Sequence, residues 1–335
     1  MTTRIAISGT GRIGRLCIRA PFETGRTDIE IAAINSRGKL DALVHLLKYD
    51  SVHGRFNADV SYDEHSITIN GKKIPVLQES DPEKLDWKPH NVDVLFECTG
   101  KFSDREGAGK HIKAGAKKVL ISSPGTDEDI MVVYGVNHND IKAEHKIVSN
   151  GSCTTNCLAP VAKVLNDAVG IARGFMTTIH AYTNDQNIHD GTHKDLHRAR
   201  AATLSMVPTT TGAAKSIGKV IPALKGKLDG TAIRVPTANV SLVDLKFDAG
   251  RPTTKEELQD AFRAAANGAM KGVLGVYDEP LVSIDFNHSE CSAYVALNEI
   301  KVIDGTLCRV MAWYDNEWAF SLRMLDIAGV MKAAG

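Results

Sequence analysis

The stretch that decides the fold is Arg4-Ile-Ala-Ile-Ser8 followed by Gly9-Thr-Gly-Arg-Ile-Gly14. A short apolar run meets G-x-G-x-x-G, and Leu16–Ala20 continues as a helical pattern. The glycines allow a tight turn and let backbone N–H groups approach a pyrophosphate at a helix N-terminus. Three glycines alone prove little; between a strand and a helix they predict a dinucleotide site. Outward from this point the apolar runs Ile29–Asn35, Asp93–Cys98 and Lys118–Ser122 alternate with helical patterns. One of these is Lys39–Lys48, where Leu40, Leu43, Val44 and Leu47 share a face. Such alternation implies βαβ units and a mostly parallel sheet. Asn70-Gly71 marks a hairpin that interrupts the rhythm.

The second half reads differently. Phe175–Ala181, Thr231–Val235, Ser241–Phe247, Tyr294–Leu297 and Thr306–Trp313 are strand-like with few helices between them, which predicts a mixed or antiparallel sheet. The polar stretch Thr183–Met206 has no helical period and reads as a functional or subunit-contacting loop. Trp318–Ala334 closes the chain as a helix carrying Leu322, Leu325, Ile327 and Val330. The fold class expected is α/β: an N-terminal Rossmann-type doubly wound sheet (1–151) and a C-terminal α+β catalytic domain (152–317).

Composition narrows the function. The 335 residues suit two domains. Lys+Arg and Asp+Glu are 40 each, which argues against a nucleic-acid binder needing a basic surplus. No apolar run approaches the roughly 18 residues of a membrane span. Six cysteines without framework spacing, and an N-terminus reading as a strand, point to a reduced cytoplasmic protein.

The end of the second strand should carry an acid for the adenosine ribose, about 20 residues past the glycines. Here it reads Asn35-Ser36-Arg37. Ser36 and Arg37 in place of an acid favour a 2′-phosphate and hence NADP, since a guanidinium suits that group. A solvated loop charge is the competing reading of Arg37. Further on, Ser149–Cys157 is small and polar and places Cys153 at a helix start, where the dipole favours a thiolate. Pro160 complicates that helix, and Cys157 fits a small packing residue better than a resolving thiol. His180 ends the next strand and is the candidate base for that thiol. His189, His193 and His197 recur at every fourth position, but Gly191 and Thr192 interrupt the helix and no ligand set is complete, so no metal is expected. Lys194, Arg198 and Arg200, with Thr209–Thr211 and Gly212, suit an anionic substrate or, equally, subunit salt bridges.

Together these segments resemble the phosphorylating glyceraldehyde-3-phosphate dehydrogenase family over essentially the whole chain. The matching runs include Gly11-Arg-Ile-Gly-Arg15, Leu46–Arg55, Ser149–Pro160, Thr177–Gln186, His193-Lys-Asp-Leu196, Pro208–Lys215, Arg234-Val-Pro-Thr237 and Trp313–Trp318. The resemblance implies Cys153 as nucleophile and His180 as its base, flanked by Ser152 and Thr154. It implies Thr183, Asp185 and Arg234 on the substrate phosphate, and Arg198, Thr211 and Gly212 on inorganic phosphate. Gly9, Gly11, Arg12, Ile13, Gly14 and Thr99 would hold NADP or NAD, with Ser122 and Asn316 nearer the nicotinamide. It further implies a last helix (318–335) packed back on the first domain, and a homotetramer in which Thr183–Met206 reaches a neighbouring cofactor.

The family pattern is not kept everywhere. Ser8 and Thr10 stand where Asn and Phe are usual, Ser36 replaces the ribose-binding Asp, and Ala319-Phe320 replace Gly-Tyr. Gly191-Thr192 replaces a Leu-Pro pair near the ribose. With Ser36 and Arg37, Thr192 therefore joins the residues expected to make room for a 2′-phosphate. The activity implied is reversible oxidative phosphorylation of D-glyceraldehyde 3-phosphate through a cysteine hemithioacetal and thioester. Erythrose-4-phosphate dehydrogenase, a redox-sensing or binding homologue without turnover, and a Cys/His hydrolase are the alternatives. The run Ala181–Asp185 speaks against the first, and the dinucleotide loop speaks against the last.

Overall fold

The structure, a computed structural model, describes residues 2–335 and divides into two units, one of residues up to Ser152 with Phe320–Gly335, and the other Cys153–Ala319. The first unit is built on β1 (Thr3–Ser8), α1 (Arg12–Glu23) and β2 (Ile29–Asn35). Ile5, Ala6 and Ile7 are fully buried, as expected of a central parallel strand covered on both faces. β1 pairs in parallel with β2 on one side and with Val94–Glu97 on the other. The strand order reverses direction at β1, and the sheet continues through Lys118–Ile121 and Ile147–Ser149. This is the doubly wound topology, with its crevice at the carboxyl ends of β1 and its neighbours.

At the other edge, Ser66–Ile69 and Lys72–Leu77 form the hairpin expected at Asn70-Gly71. Both turn residues lie at positive φ (47° and 79°), the geometry that a two-residue type I′ turn requires. The helix Leu40–Lys48 buries the stripe read from the sequence, Leu40, Leu43, Val44 and Leu47.

The last helix, Trp318–Ala333, starts in the second unit and belongs to the first from Phe320 onward. Its apolar residues Leu325, Ile327, Ala328 and Met331 are fully buried, while Val330 is only half-buried. Polar ties fix it: Arg26 donates to Asp326 (2.7 Å), Lys118 Nζ to the Met331 carbonyl (2.9 Å) and Lys332 Nζ to Asp93 (2.8 Å).

The second unit is one mixed sheet. Its long strand Ile171–Ala181 runs parallel to Leu228–Val235 and antiparallel to Ser241–Ala249. Leu307–Tyr314 follows, paired antiparallel to Ser241–Ala249. Cys153–Val169 packs on this sheet through fully buried Leu158, Val161, Ala162 and Leu165, and it runs on through Pro160. Two more helices, Ala213–Val220 and Lys255–Asn267, lie where few had been expected. The second is capped by Thr254, whose hydroxyl accepts from the Glu257 N–H. No regular element occurs between Ala181 and Val207, in keeping with the loop read from the sequence. Among the described residues no helix is long and apolar enough to cross a membrane.

Asp93 anchors the terminal helix and tests that anchoring. Burial opposes ionisation of its carboxyl, but hydrogen bonds from Lys117, Lys332 and the Arg4 N–H outweigh burial and hold it below the ordinary range. Asp93→Asn should destabilise the protein by about 1.5–3 kcal/mol in urea at pH 7, the scale for hydrogen bonds to a charged group. A carboxyl depressed in the native state stabilises above its unfolded value, about 3.9, and that contribution is lost as the pH falls below it. The gap between wild type and variant should therefore narrow in that acid range.

Candidate active site

The crevice of the first unit is about 320 Å³ and is lined by Gly9, Gly11, Arg37, Thr99 and Lys101 among others. The glycines have separate reasons. Gly9 sits at φ +97°, and a Cβ there would lie 2.7 Å from the backbone of Cys98 and Thr99. A Cβ on Gly14 would lie 1.9 Å from the Gly9 carbonyl oxygen. A Cβ on Gly11 would meet nothing within 4 Å and would stand in the open crevice itself. No side chain caps α1, so the N–H groups of its first turn, Ile13 and Gly14 among them, are left by helix geometry to an outside acceptor. A cradle in which one glycine faces open space at an uncapped helix N-terminus fits a pyrophosphate.

The side chains around the cradle are partly committed elsewhere. The guanidinium of Arg12 is paired with Asp50 (2.5 and 3.1 Å), so its side chain braces a neighbouring turn. Ser36 is buried, and its hydroxyl lies 2.6 Å from that of Thr10. The two departures from the family pattern thus pair with each other. Arg37 is exposed at the crevice wall. Ser122 Oγ donates to the Glu97 carbonyl at 2.9 Å.

Thr99 is held by a group that the sequence reading passed over. Glu97 is almost fully buried, and its Oε1 accepts from the N–H (2.7 Å) and the hydroxyl of Thr99. Its Oε2 lies 2.9 Å from Nε2 of His111. Trp87 Nε1 donates to His111 Nδ1 (3.3 Å), so Nε2 carries the ring proton and donates to Glu97.

In the second unit Cys153 opens its helix, and its Sγ lies 3.4 Å from Nε2 of His180. The strand register pairs His180 directly with Arg234 on Leu228–Val235. Nη1 of Arg234 is 2.6 Å from Nδ1 of His180 and 3.0 Å from the Ala181 carbonyl. Burial, and then the charge of Arg234, push the His180 imidazole down to about 3. Burial likewise pushes the Cys153 thiol up, while Arg234 and the Thr154 N–H and hydroxyl pull it back. The pair is thus poised on the neutral side, and a nearby cation already favours the thiolate.

Tyr314 is buried, with its hydroxyl 2.8 Å from that of Thr154 and 2.9 Å from that of Thr178, and its ring stands edge-on to His180. Arg198 pairs with Asp185 and donates to Thr209 at 2.9 Å. The charges of Arg198 and Asp185 both act on Arg234. Thr183 donates through its N–H (2.7 Å) and its hydroxyl to Gln186. Thr211 Oγ1 accepts from the Ala213 N–H at the start of its helix, beside exposed Gly212. Ser241 accepts from the Ala181 N–H (3.0 Å), so its one proton goes to Oδ1 of Asn316 (2.7 Å). That fixes the Asn316 amide with its NH2 turned away from Ser241. Ser152 is half-buried, and Thr192 is exposed on the long loop.

Known proteins share this sequence along its length. Residues 3–105 match the model described as glyceraldehyde 3-phosphate dehydrogenase, NAD binding domain, and residues 152–316 match its C-terminal domain. A glyceraldehyde-3-phosphate dehydrogenase of Xanthobacter flavus is 56% identical over 335 residues, covering 100% of both chains. The chain belongs to the glyceraldehyde-3-phosphate dehydrogenase family. Relatives carrying the same description occur in Cereibacter sphaeroides (55% identical, 99% of each chain) and Geobacillus stearothermophilus (52%, 100% of each). The expected α/β class, with its Rossmann-type first domain, is the architecture that the family models and the sheet order describe.

The glycines separate stability from binding. Gly14→Ala must displace backbone and should cost about 2 kcal/mol or more in a melt. Gly11→Ala should melt like wild type yet bind oxidised nicotinamide dinucleotide at least about tenfold more weakly, because the methyl occupies the pyrophosphate approach. Unchanged affinity in a fluorescence titration would contradict this.

Proposed function

We propose that the protein catalyses reversible oxidative phosphorylation of D-glyceraldehyde 3-phosphate to 1,3-bisphosphoglycerate with NADP or NAD. The observation that carries this is the thiol of Cys153 at 3.4 Å from His180 Nε2, with the Arg234 cation on the far side of the ring, in a chain of this family. The Cys153 sulfur adds to the aldehyde carbon, giving a hemithioacetal whose oxygen needs a donor. His180 removes the hydroxyl proton as hydride leaves the carbon. The bound nicotinamide supplies the hydride acceptor. A thioester remains on Cys153, and inorganic phosphate attacks it to release the acyl phosphate.

Two anions must be held. For the substrate phosphate the residues are Thr183, Asp185 and Arg234, and the buried Nε of Arg234 has no partner, a donor awaiting an acceptor. For inorganic phosphate they are Arg198, Thr211 and Gly212, at the start of the helix Ala213–Val220. Ser152 and Thr154 flank the nucleophile, and Asn316, oriented by Ser241, serves the nicotinamide carboxamide.

The crevice supports the reading of NADP acceptance, or preference. No acid stands at the end of β2, where Ser36 is turned to Thr10, and Arg37 and Lys101 line the wall. Glu79, the nearby acid, accepts from the N–H groups of Ser80 and Asp81 in its own loop. Arg12 and Ile13 serve the pyrophosphate through their main chain. The long loop exposes Ile188, Leu196, Leu204 and Met206, from 70% to 81% accessible, which supports its covering by another subunit in a homotetramer, with Gly191-Thr192 reaching a neighbour's ribose as part of that reading. All six cysteines are free thiols, which supports a cytoplasmic setting.

Cys153→Ser should lower kcat for phosphate-dependent oxidation of D-glyceraldehyde 3-phosphate by at least about a thousandfold while leaving cofactor affinity unchanged. For the cofactor, kcat/KM with NADP should equal or exceed that with NAD. Arg37→Ala should reduce the NADP value about tenfold and spare NAD, and Ser36→Asp should favour NAD. A native enzyme that prefers NAD by orders of magnitude would sink the NADP reading.

A further inference from the structure

We propose that Arg234 decides which ring nitrogen of His180 carries the proton, holding the base idle until an anion draws the guanidinium away. Three atoms meet at the end of the strand Ile171–Ala181. Nδ1 of His180 is 2.7 Å from the Ala181 carbonyl and 2.6 Å from Nη1 of Arg234, and Nη1 is 3.0 Å from that same carbonyl. A guanidinium only donates, a carbonyl only accepts, and a neutral ring nitrogen does one or the other. The three contacts cannot all be hydrogen bonds. With a proton, Nδ1 serves Ala181 but confronts an N–H of the cation. Without one, it accepts from Arg234 but sets its lone pair against the carbonyl.

Arg234 settles the choice while it is present. Nη1 has two protons, one for Nδ1 and one for Ala181, and both bonds are charge-assisted. The single proton of the ring then sits on Nε2, 3.4 Å from Sγ of Cys153, where it can only donate. Burial keeps the ring neutral at physiological pH, so no second proton relieves the conflict. Withdrawal of the guanidinium leaves the Ala181 carbonyl as the partner of Nδ1. One proton then leaves Nε2 for water and one enters Nδ1 from water, with no net change, and the Nε2 lone pair faces the thiol.

What draws Arg234 away is a doubly charged phosphate. The buried Nε of this side chain has no partner, and a phosphate accepts from two guanidinium nitrogens at once. The inference rests on the reading of Arg234 as a ligand of the substrate phosphate. It adds that an aldehyde without the phosphate meets an idle base, so discrimination appears in kcat as well as in affinity.

The test uses a substrate in two pieces, D-glyceraldehyde and phosphite dianion, and follows nicotinamide reduction in a single turnover of the holoenzyme without inorganic phosphate. Phosphite should accelerate the wild-type turnover by at least about tenfold. Arg234→Ala should oxidise D-glyceraldehyde without phosphite faster than wild type does, and phosphite should have no effect on it. A variant as slow as wild type or slower overturns the proposal, because loss of a phosphate ligand alone gives no gain. A wild-type measurement covers the case of a variant that fails to fold. The 15N spectrum of the His180 ring, assigned against His180→Asn, should show the proton on Nε2 without anion and on Nδ1 at saturating phosphite. The same tautomer in both states overturns it too. Failure of the functional reading would show separately, as wild-type protein that does not oxidise D-glyceraldehyde 3-phosphate.

Discussion

The chemistry of the second unit depends on one register, the parallel pairing of Ile171–Ala181 with Leu228–Val235 that sets His180 beside Arg234. A slip of one residue would leave the two side chains on opposite faces of the sheet. The antiparallel neighbour on the far side, Ser241–Ala249, presents Ser241 to the Ala181 N–H and through it orients Asn316. The helix Cys153–Val169, pressed on the sheet by its fully buried apolar face, brings the thiol to the imidazole. Imidazole, thiol, cation and amide are thus placed by rigid elements rather than by a flexible loop, which is what precise positioning of reacting groups requires.

The first unit answers a different demand. Its loop must come close to a ligand by main chain alone, so side chains are removed where backbone meets backbone, at Gly9 and Gly14, and where the crevice opens, at Gly11. Around that loop the polar groups tie down the frame. Arg12 grips Asp50, Thr10 meets Ser36, and buried Glu97 with His111 holds Thr99. The protein is neutral in total charge, yet Arg37, Arg198 and Arg234 are the cations assigned to three phosphate groups.

The parts legible in the sequence are those where local rules and long-range packing agree. The glycine fingerprint, the apolar runs of the first sheet and the Asn70-Gly71 turn each have a local signature. Cys153 and His180 were visible as a helix start and a strand end, although their approach across 27 residues of sequence needed the family resemblance. The helices Ala213–Val220 and Lys255–Asn267 were missed as elements. The first is short, with Gly212 at its N-cap and no side-chain cap, and the second buries little more than Leu258 and Phe262. Tyr314 and Ser241 escaped notice because their importance lies in hydrogen bonds to residues 60 to 160 positions away, Thr154 to Tyr314 being the extreme. No spacing rule encodes such contacts. Trp313–Trp318 had marked the neighbourhood of Tyr314 without assigning it a role.

On the proposed reading Cys153 carries the acyl group between oxidation and phosphate attack. Mass spectrometry detects that group on the protein quenched in acid after mixing with D-glyceraldehyde 3-phosphate and oxidised cofactor, without inorganic phosphate. A phosphoglyceryl thioester on the peptide containing Cys153, formed only when the cofactor is present and discharged by inorganic phosphate, is the result expected. An unmodified Cys153 under those conditions, or an adduct indifferent to cofactor and phosphate, would contradict it.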